Sequence, residues 1–204
     1  MDARVLCVGD RQTAADSAAD ALEQASDELT VQTTADPRAV PSLVADGIEC
    51  VVSDYDLSGT DGRELLAEVR EGHPDLPFIL VTDTWSEELA NRAISAGATD
   101  CLQKPSGTEQ YGRIANRIEN AVERYRSQRA VAESQRRLSL LFDESALGVI
   151  EWSPDIEVVR VNDAAEEILG YSEADLLGDS WERIVPDDET GHVEAVVDKL
   201  QSDG

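Results

Sequence analysis

The chain predicts an α/β fold followed by a smaller α+β segment, and three observations carry that expectation. Short apolar runs alternate five times with stretches of helical spacing up to Pro105. From Thr108 to Phe142 there is no proline and only Gly112, amid dense helix formers. After Leu138 come two short strand patterns and two capped helical ones. Five βα units in succession fold as a parallel sheet wrapped on both faces by helices.

Taken in order, Arg4-Val5-Leu6-Cys7-Val8 is a continuous apolar strand ending at Gly9-Asp10. Thr13 to Ser26 carries Ala15, Ala18, Ala19, Leu22 and Ala25 at helical spacing, with Thr13 as the expected N-cap. Leu29 to Thr33 alternates as a strand, and Asp36-Pro37 opens a second helix with Val40, Leu43 and Val44 inward. Ile48 to Val52 is a buried strand that meets an acidic turn, Asp54 to Gly62, before a helix from Arg63 to Glu71. Phe78 to Val81 forms the fourth strand, ending at Thr82. Ser86 caps the next helix and Gly97 ends it. Asp100-Cys101-Leu102 is the short fifth strand, running into Lys104-Pro105.

The composition narrows the functional classes. Lys+Arg number 17 against 43 Asp+Glu, a net charge of -26, while 41% of the residues are hydrophobic, ample for a core. Only Lys104 and Lys199 are lysines. An acid-rich, lysine-poor surface is tolerable where salt screens self-repulsion, which points to a halophilic source. The same charge argues against nucleic acid or an anionic membrane as a direct partner. No apolar run has the length of a bilayer span and no secretory signal is present, so the expected location is cytoplasmic. Cys7, Cys50 and Cys101 lie in or beside apolar strands without metal-site spacing, and read as buried free thiols.

In a parallel sheet the carboxyl ends of the strands share one edge, where ligands bind. That edge collects Asp10, Asp54, Thr82 and Lys104. Two carboxylates about 4 Å apart repel by roughly 4 kcal/mol at an effective dielectric near 20 and call for a cation. All-oxygen ligands with room for water suit Mg2+. Asp54 could then attack a phosphoryl group to give an acyl phosphate, with Lys104 and the Thr82 hydroxyl on its oxygens. In a chain with 43 acids, an Asp at a strand end is unremarkable; a lysine retained at that edge by a chain that has two is more telling. His73 and His192 lie in polar sequence and read as solvated, and no phosphate loop, Ser-His-Asp pattern or Cys cluster competes.

With Asp10, Asp54, the turn to Asp61-Gly62, Thr82, Ala96-Gly97-Ala98 and Lys104-Pro105 in place, residues 1 to about 125 resemble a response-regulator receiver domain. The resemblance implies a flavodoxin-like sheet of order 2-1-3-4-5. It implies Asp54 as phosphoacceptor, Asp10 and Asp54 as magnesium ligands, the Asp56 backbone carbonyl as a third, and a histidine kinase as phosphodonor. It also implies a cis peptide at Lys104-Pro105. Four positions depart from the family pattern. Gly9 stands where a second acid is usual, and Asp83 follows Thr82 where a small residue is common. Cys101 takes the place of the aromatic switch residue, and Ser58 that of a proline. The expectation is weaker magnesium binding, a phosphoryl pocket crowded or compensated by Asp83, no aromatic relay, and little effect from Ser58.

Residues 108–142 read as the last receiver helix continuing as a signalling helix. Tyr111, Ile114, Ile118, Ala121, Val122 and Tyr125 form a stripe for the sheet. Seven arginines against four glutamates make the stretch locally basic; it reads as a solvated connector, and a parallel coiled-coil homodimer is one arrangement it allows.

From Leu138 the chain resembles the first half of a PAS domain. The resemblance rests on Leu147 to Asp155, Glu157 to Val161, Asn162-Asp163-Ala164-Ala165 and the Gly170-Tyr171-Ser172 to Gly178 run. Asn162 and Ser172 are natural caps. Residues 138–204 are too few to close the usual sheet, so the segment is expected to be incomplete, either as a fragment of a longer protein or as an unusually truncated one, and either less well packed than the receiver or covered by a partner chain. No flavin-type Asn-Cys-Arg motif is present and His192 has no apolar surroundings for haem, so the PAS ligand is left open. The reading is a phosphoaccepting regulator whose receiver is coupled through a helix to a PAS module. Two alternatives stand beside it: a pseudo-receiver without phosphotransfer, and the sensory front end of a histidine kinase.

Overall fold

A computed structural model describes residues 2–105, 107 and 110–185. The chain divides into two compact units, Met1–Ala130 and Val131–Gly204. In the first, β1 (Ala3–Val8), α1 (Gln12–Ala25), β2 (Leu29–Thr34), α2 (Val40–Ala45) and β3 (Cys50–Asp54) follow one another. A two-stranded hairpin comes next, β4 (Asp56–Leu57) with β5 (Thr60–Asp61), then α3 (Gly62–Gly72), β6 (Phe78–Thr82), α4 (Glu87–Ser95) and β7 (Asp100–Gln103). The main sheet has the order β2-β1-β3-β6-β7, all parallel. Leaving out the hairpin, that is the expected 2-1-3-4-5.

The apolar strand runs are continuous because both faces are covered. Leu6, Val8, Val51, Phe78 and Leu80 face α2, α3 and α4 through Val44, Leu65, Leu66 and Ala93. Val5, Cys7, Cys50, Val52 and Ile79 face the other way, onto Leu22 of α1 and Ile114, Ile118 and Val122 of the last helix. All three thiols are free and buried, as their strand positions imply.

Local chemistry sets the boundaries. Ser86 accepts from the Leu89 N–H at 3.1 Å and caps α4, and Gly97, at φ +97°, ends it in a conformation costly for other residues. Thr13 is not a cap: α1 begins at Gln12 after an extended Arg11 that offers no side-chain cap. The second helix is split into a 3-10 turn, Pro37–Ala39, capped by Asp36, and then α2. Pro41 lacks the N–H that would have continued one helix through both. The hairpin was not expected from sequence. It delivers Asp61 to the head of α3, where its carboxylate accepts from the Arg63 and Glu64 N–H groups at 2.8 and 2.9 Å.

Gly62 is there because nothing larger fits. A Cβ at that position would lie 2.5 Å from the Asp54 carbonyl oxygen and 2.6 Å from the Leu80 side chain. Its N–H donates to the Tyr55 carbonyl at 2.7 Å, locking the turn that carries Asp54.

The last helix of the unit, α5 (Tyr111–Asp143), is 33 residues long and runs across the boundary between the units. The stripe of Ile114, Ile118, Ala121 and Val122 is buried as expected. Arg126 adds a tie that periodicity does not reveal: its guanidinium donates to Glu49 at 2.7 and 2.6 Å. Beyond Ala130, Val131, Leu138 and Leu141 of the helix are exposed.

The second unit pairs β8 (Ile150–Trp152) with β9 (Val158–Val161) antiparallel, followed by α6 (Asp163–Leu169) and α7 (Glu173–Leu176). Asn162 caps α6 through the Ala165 N–H, and Ser172 with Asp175 forms a capping box on α7. A small core of Val158, Val161, Ala165 and Leu176 closes it. Among the described residues this sheet has two strands. The amphipathic stretch from Val193 to Leu200, and His192, lie outside the described residues.

Two outcomes follow for stability. Gly62→Ala should lower unfolding free energy by about 1–3 kcal/mol, the usual cost of overpacking, seen as a lower denaturant midpoint. Glu49 is held below its ordinary value of 4.5 chiefly by the Arg126 hydrogen bonds, with burial opposing. A carboxylate depressed on folding stabilises above its unfolded pKa and loses that contribution as pH falls through the folded one. Glu49→Gln should therefore cost about 1 kcal/mol at pH 7, the pair being partly exposed, and the difference should vanish on acidification below the ordinary carboxylate range.

Candidate functional site

The parallel register carries the strand ends to one edge. Val8 of β1 stands beside Ser53 of β3, Asp54 beside Val81 of β6, and Thr82 beside Gln103 of β7. The ladder extends one step further through Tyr55 N–H to Val81 and Lys104 N–H to Thr82, each 2.8 Å. Asp54 and Lys104 are thus fixed by backbone on the two opposite sides of β6, and the Lys104 ammonium lies 3.1 Å from Asp54 Oδ2. The Asp54 side chain keeps 13% of its surface open, enough for a small reactant and little enough to weaken screening.

Asp10 joins them through its backbone, whose N–H donates to Asp54 Oδ2 at 3.4 Å. Its carboxylate accepts from the Ser58 hydroxyl. Ser58, expected to matter little, therefore orients the second acid of the site. Thr82 is buried, and its hydroxyl exchanges long hydrogen bonds with the Thr84 backbone, 3.3 and 3.4 Å. Asp56 is exposed on β4. The Lys104–Pro105 peptide is trans, as is every described peptide bond, against the expected cis; X–Pro bonds favour trans by about 0.5–1 kcal/mol. His73, just past the end of α3, is half-buried rather than fully solvated, and its carbonyl accepts from Arg70.

Asp83 is the residue whose place sequence did not reveal. Its carboxylate lies 3.1 Å from the Lys104 ammonium, so one lysine bridges two acids. Burial alone would lower the Lys104 pKa; the hydrogen bonds to Asp54 and Asp83 outweigh it and the net shift is upward. Lys104 is therefore a fixed positive charge at neutral pH. Beneath the carboxylates, burial, reinforced by the Asp54 charge, pushes the Cys7 thiol up to about 12. That thiol is an inert wall.

A pocket of about 210 Å³ opens beside the pair, bounded by Gly9, Ala15, Tyr111 and Lys104 among others. Gly9 is closely packed: a Cβ there would sit 3.1 Å from that of Ala15. A second acid at this position would require the start of α1 to give way. Among the described residues no three His, Cys, Asp or Glu side chains form a metal cluster. What the edge does offer is the Asp54 carboxylate with the Asp10 backbone on it and the Asp10 carboxylate turned to Ser58. Carboxylate oxygens are the donor type that a hard cation such as Mg2+ takes. Chemically, the site presents one carboxylate oxygen beside a fixed ammonium.

A family model described as response regulator receiver domain matches residues 5–116, and one described as PAS domain matches residues 136–201. The chain is similar to the bacterioopsin transcriptional activator of Halobacterium salinarum, 30% identical over 143 residues, covering 64% of this chain and 21% of that protein. It is similar to the response regulator protein FleR of Pseudomonas aeruginosa, 33% identical over 105 residues, 52% of this chain and 22% of that one. It thus spans about a fifth of the length of these relatives. In structure it resembles the beryllofluoride-activated NtrC4 receiver domain dimer, with TM-score 0.52 and 27% identity over 60% of this chain and 98% of that one. With the five-stranded parallel sheet and its acidic edge already described, the chain belongs to the response regulator receiver family, its receiver domain followed in sequence by a PAS domain.

Proposed function

We propose that the first domain, residues 1 to about 125, accepts a phosphoryl group on Asp54 from a histidine kinase. Residues 108–142 pass the resulting change toward the PAS domain at 138–204. The observation that carries this is the Lys104 ammonium 3.1 Å from Asp54 at the sheet edge, in a chain with two lysines. An Asp54 carboxylate oxygen attacks phosphorus, the bond from phosphorus to the donor imidazole nitrogen breaks, and that nitrogen keeps the electron pair. The product is an acyl phosphate on Asp54. Lys104 pairs with the phosphoryl oxygens and the Thr82 hydroxyl, once turned from Thr84, donates to another. Asp10, Asp54 and the Asp56 carbonyl would hold Mg2+, with Ser58 orienting Asp10. Bound there, the ion supplies charge neutralisation for the phosphoryl group.

The remaining assignments rest on composition and likeness. Acid excess and the Halobacterium relative support a halophilic source. No described helix is long and apolar enough to cross a membrane, in keeping with a cytoplasmic protein. The exposed apolar residues of α5 favour a homodimer through that helix, and nucleic acid is disfavoured by the overall charge. The domain is a phosphoacceptor and not itself an enzyme; a kinase or transcriptional output would belong to a longer parent chain. The pseudo-receiver reading draws support from the Gly9 packing and from Asp83 on Lys104.

The test is incubation with a small acyl phosphate donor and Mg2+ in high salt, followed by intact mass. One phosphoryl group should be gained, stable in acid and labile in alkali, and lost in Asp54→Asn. Lys104→Gln should phosphorylate roughly 10- to 150-fold more slowly, the equivalent of about 1.5–3 kcal/mol for a charge-assisted hydrogen bond. No gain in the unmodified protein, under conditions that phosphorylate a control receiver, would favour the pseudo-receiver.

A further inference from the structure

Lys104 lies 3.1 Å from Asp54 and 3.1 Å from Asp83, but the two acids differ in setting. Asp54 is 13% exposed, Asp83 is 77% exposed. Asp83 is the first residue after β6 and opens the short loop that ends at the Ser86 cap of α4. Within that loop the other tether is the long Thr82–Thr84 contact, and its Trp85 is 52% exposed. On β7, Cys101 is buried and too small to act as a swinging aromatic.

We propose that Asp83 is a positioning residue that shares Lys104 with Asp54 at rest, and that phosphorylation withdraws Lys104 from it. This rests on Asp54 being the phosphoacceptor. The exposed Lys104–Asp83 pair is weakly held in water, whereas phosphoryl oxygens at the nearly buried Asp54 offer the ammonium a stronger, charge-assisted partner. Phosphoryl oxygens also repel a carboxylate that leans on the same lysine. The weaker contact yields. Asp83 swings toward solvent, the Thr82 hydroxyl turns inward, and the loop with Trp85 loses both ties in one event. The β6–α4 loop thereby takes over the output that β7 cannot carry.

The test uses the full chain with Trp152→Phe and Trp181→Phe, leaving Trp85 as sole tryptophan. Trp85 emission and acrylamide quenching are read with and without the acyl phosphate donor, and intact mass is followed on the same samples. Phosphorylation should change the Trp85 signal. Asp83→Asn should show the phosphorylated-type signal before any donor is added, respond little further, and phosphorylate up to about fivefold faster once the competing carboxylate is neutral. Asp83→Glu should restore resting behaviour. Full mass gain with an unchanged Trp85 overturns the shared lysine alone, as does an unphosphorylated Asp83→Asn that matches the parent. Absence of mass gain in the parent overturns the phosphoacceptor reading and the trigger with it.

Discussion

The receiver edge depends on one ammonium held between carboxylates. Asp10, Asp54 and Asp83 bring three acids to the ends of β1, β3 and β6, and Lys104 is the cation that lies against two of them. Without it, Asp54 and Asp83 would lose the ammonium they share. The sheet supplies the means to hold it: Lys104 is fixed by its own N–H on the Thr82 carbonyl, so its side chain starts from a known point. Gly62 does the same for Asp54 from beneath, its missing Cβ letting the acidic turn fold back on the strand.

How much of this was legible in the chain follows from what fixes each part. Apolar runs buried on both faces specify parallel strands, and parallel strands put their carboxyl ends on one edge. Asp54, Asp10, Thr82 and Lys104 could therefore be named from residue order alone. Side-chain direction at a loop is another matter. That Asp83 leans onto Lys104, or that Ser58 reaches Asp10, joins residues 21 and 48 positions apart through rotamers that no periodicity encodes. The hairpin of Asp56–Leu57 and Thr60–Asp61 was hidden because two-residue strands carry no pattern. Thr13 misled for a related reason: a threonine before an alanine-rich run is a cap only if its backbone is extended, and here Arg11 has that conformation.

The second domain shows the same division. Asn162 was legible as a helix cap, and the structure adds that it is buried with its whole side chain in use. Its amide donates to the Phe142 and Leu147 carbonyls at 2.9 Å each, while its oxygen accepts from Val149 and Ala165. One residue thus ties the end of α5, the strand entry and the start of α6. A buried amide so completely satisfied specifies a single arrangement, because any shift of α5 leaves polar atoms unpaired. Arg160 reinforces the junction, stacking on Phe142 at 4.3 Å and pairing with Asp143. Within the second unit, the end of α5 is therefore joined to the PAS fold by polar chemistry.

The composition and the site meet in one electrostatic argument. A chain of net charge -26 repels an anionic phosphoryl donor at long range when salt is low. At about 1 M salt the Debye length falls to roughly 3 Å, and only groups in contact with the reactant still act on it. Under those conditions the 43 acids recede, and for the proposed phosphoryl transfer the charges at the edge would decide: Lys104 for, Asp83 against. An acid-rich surface then imposes little on the proposed chemistry of the site, provided the ammonium against Asp54 is kept, and a chain with two lysines has one there.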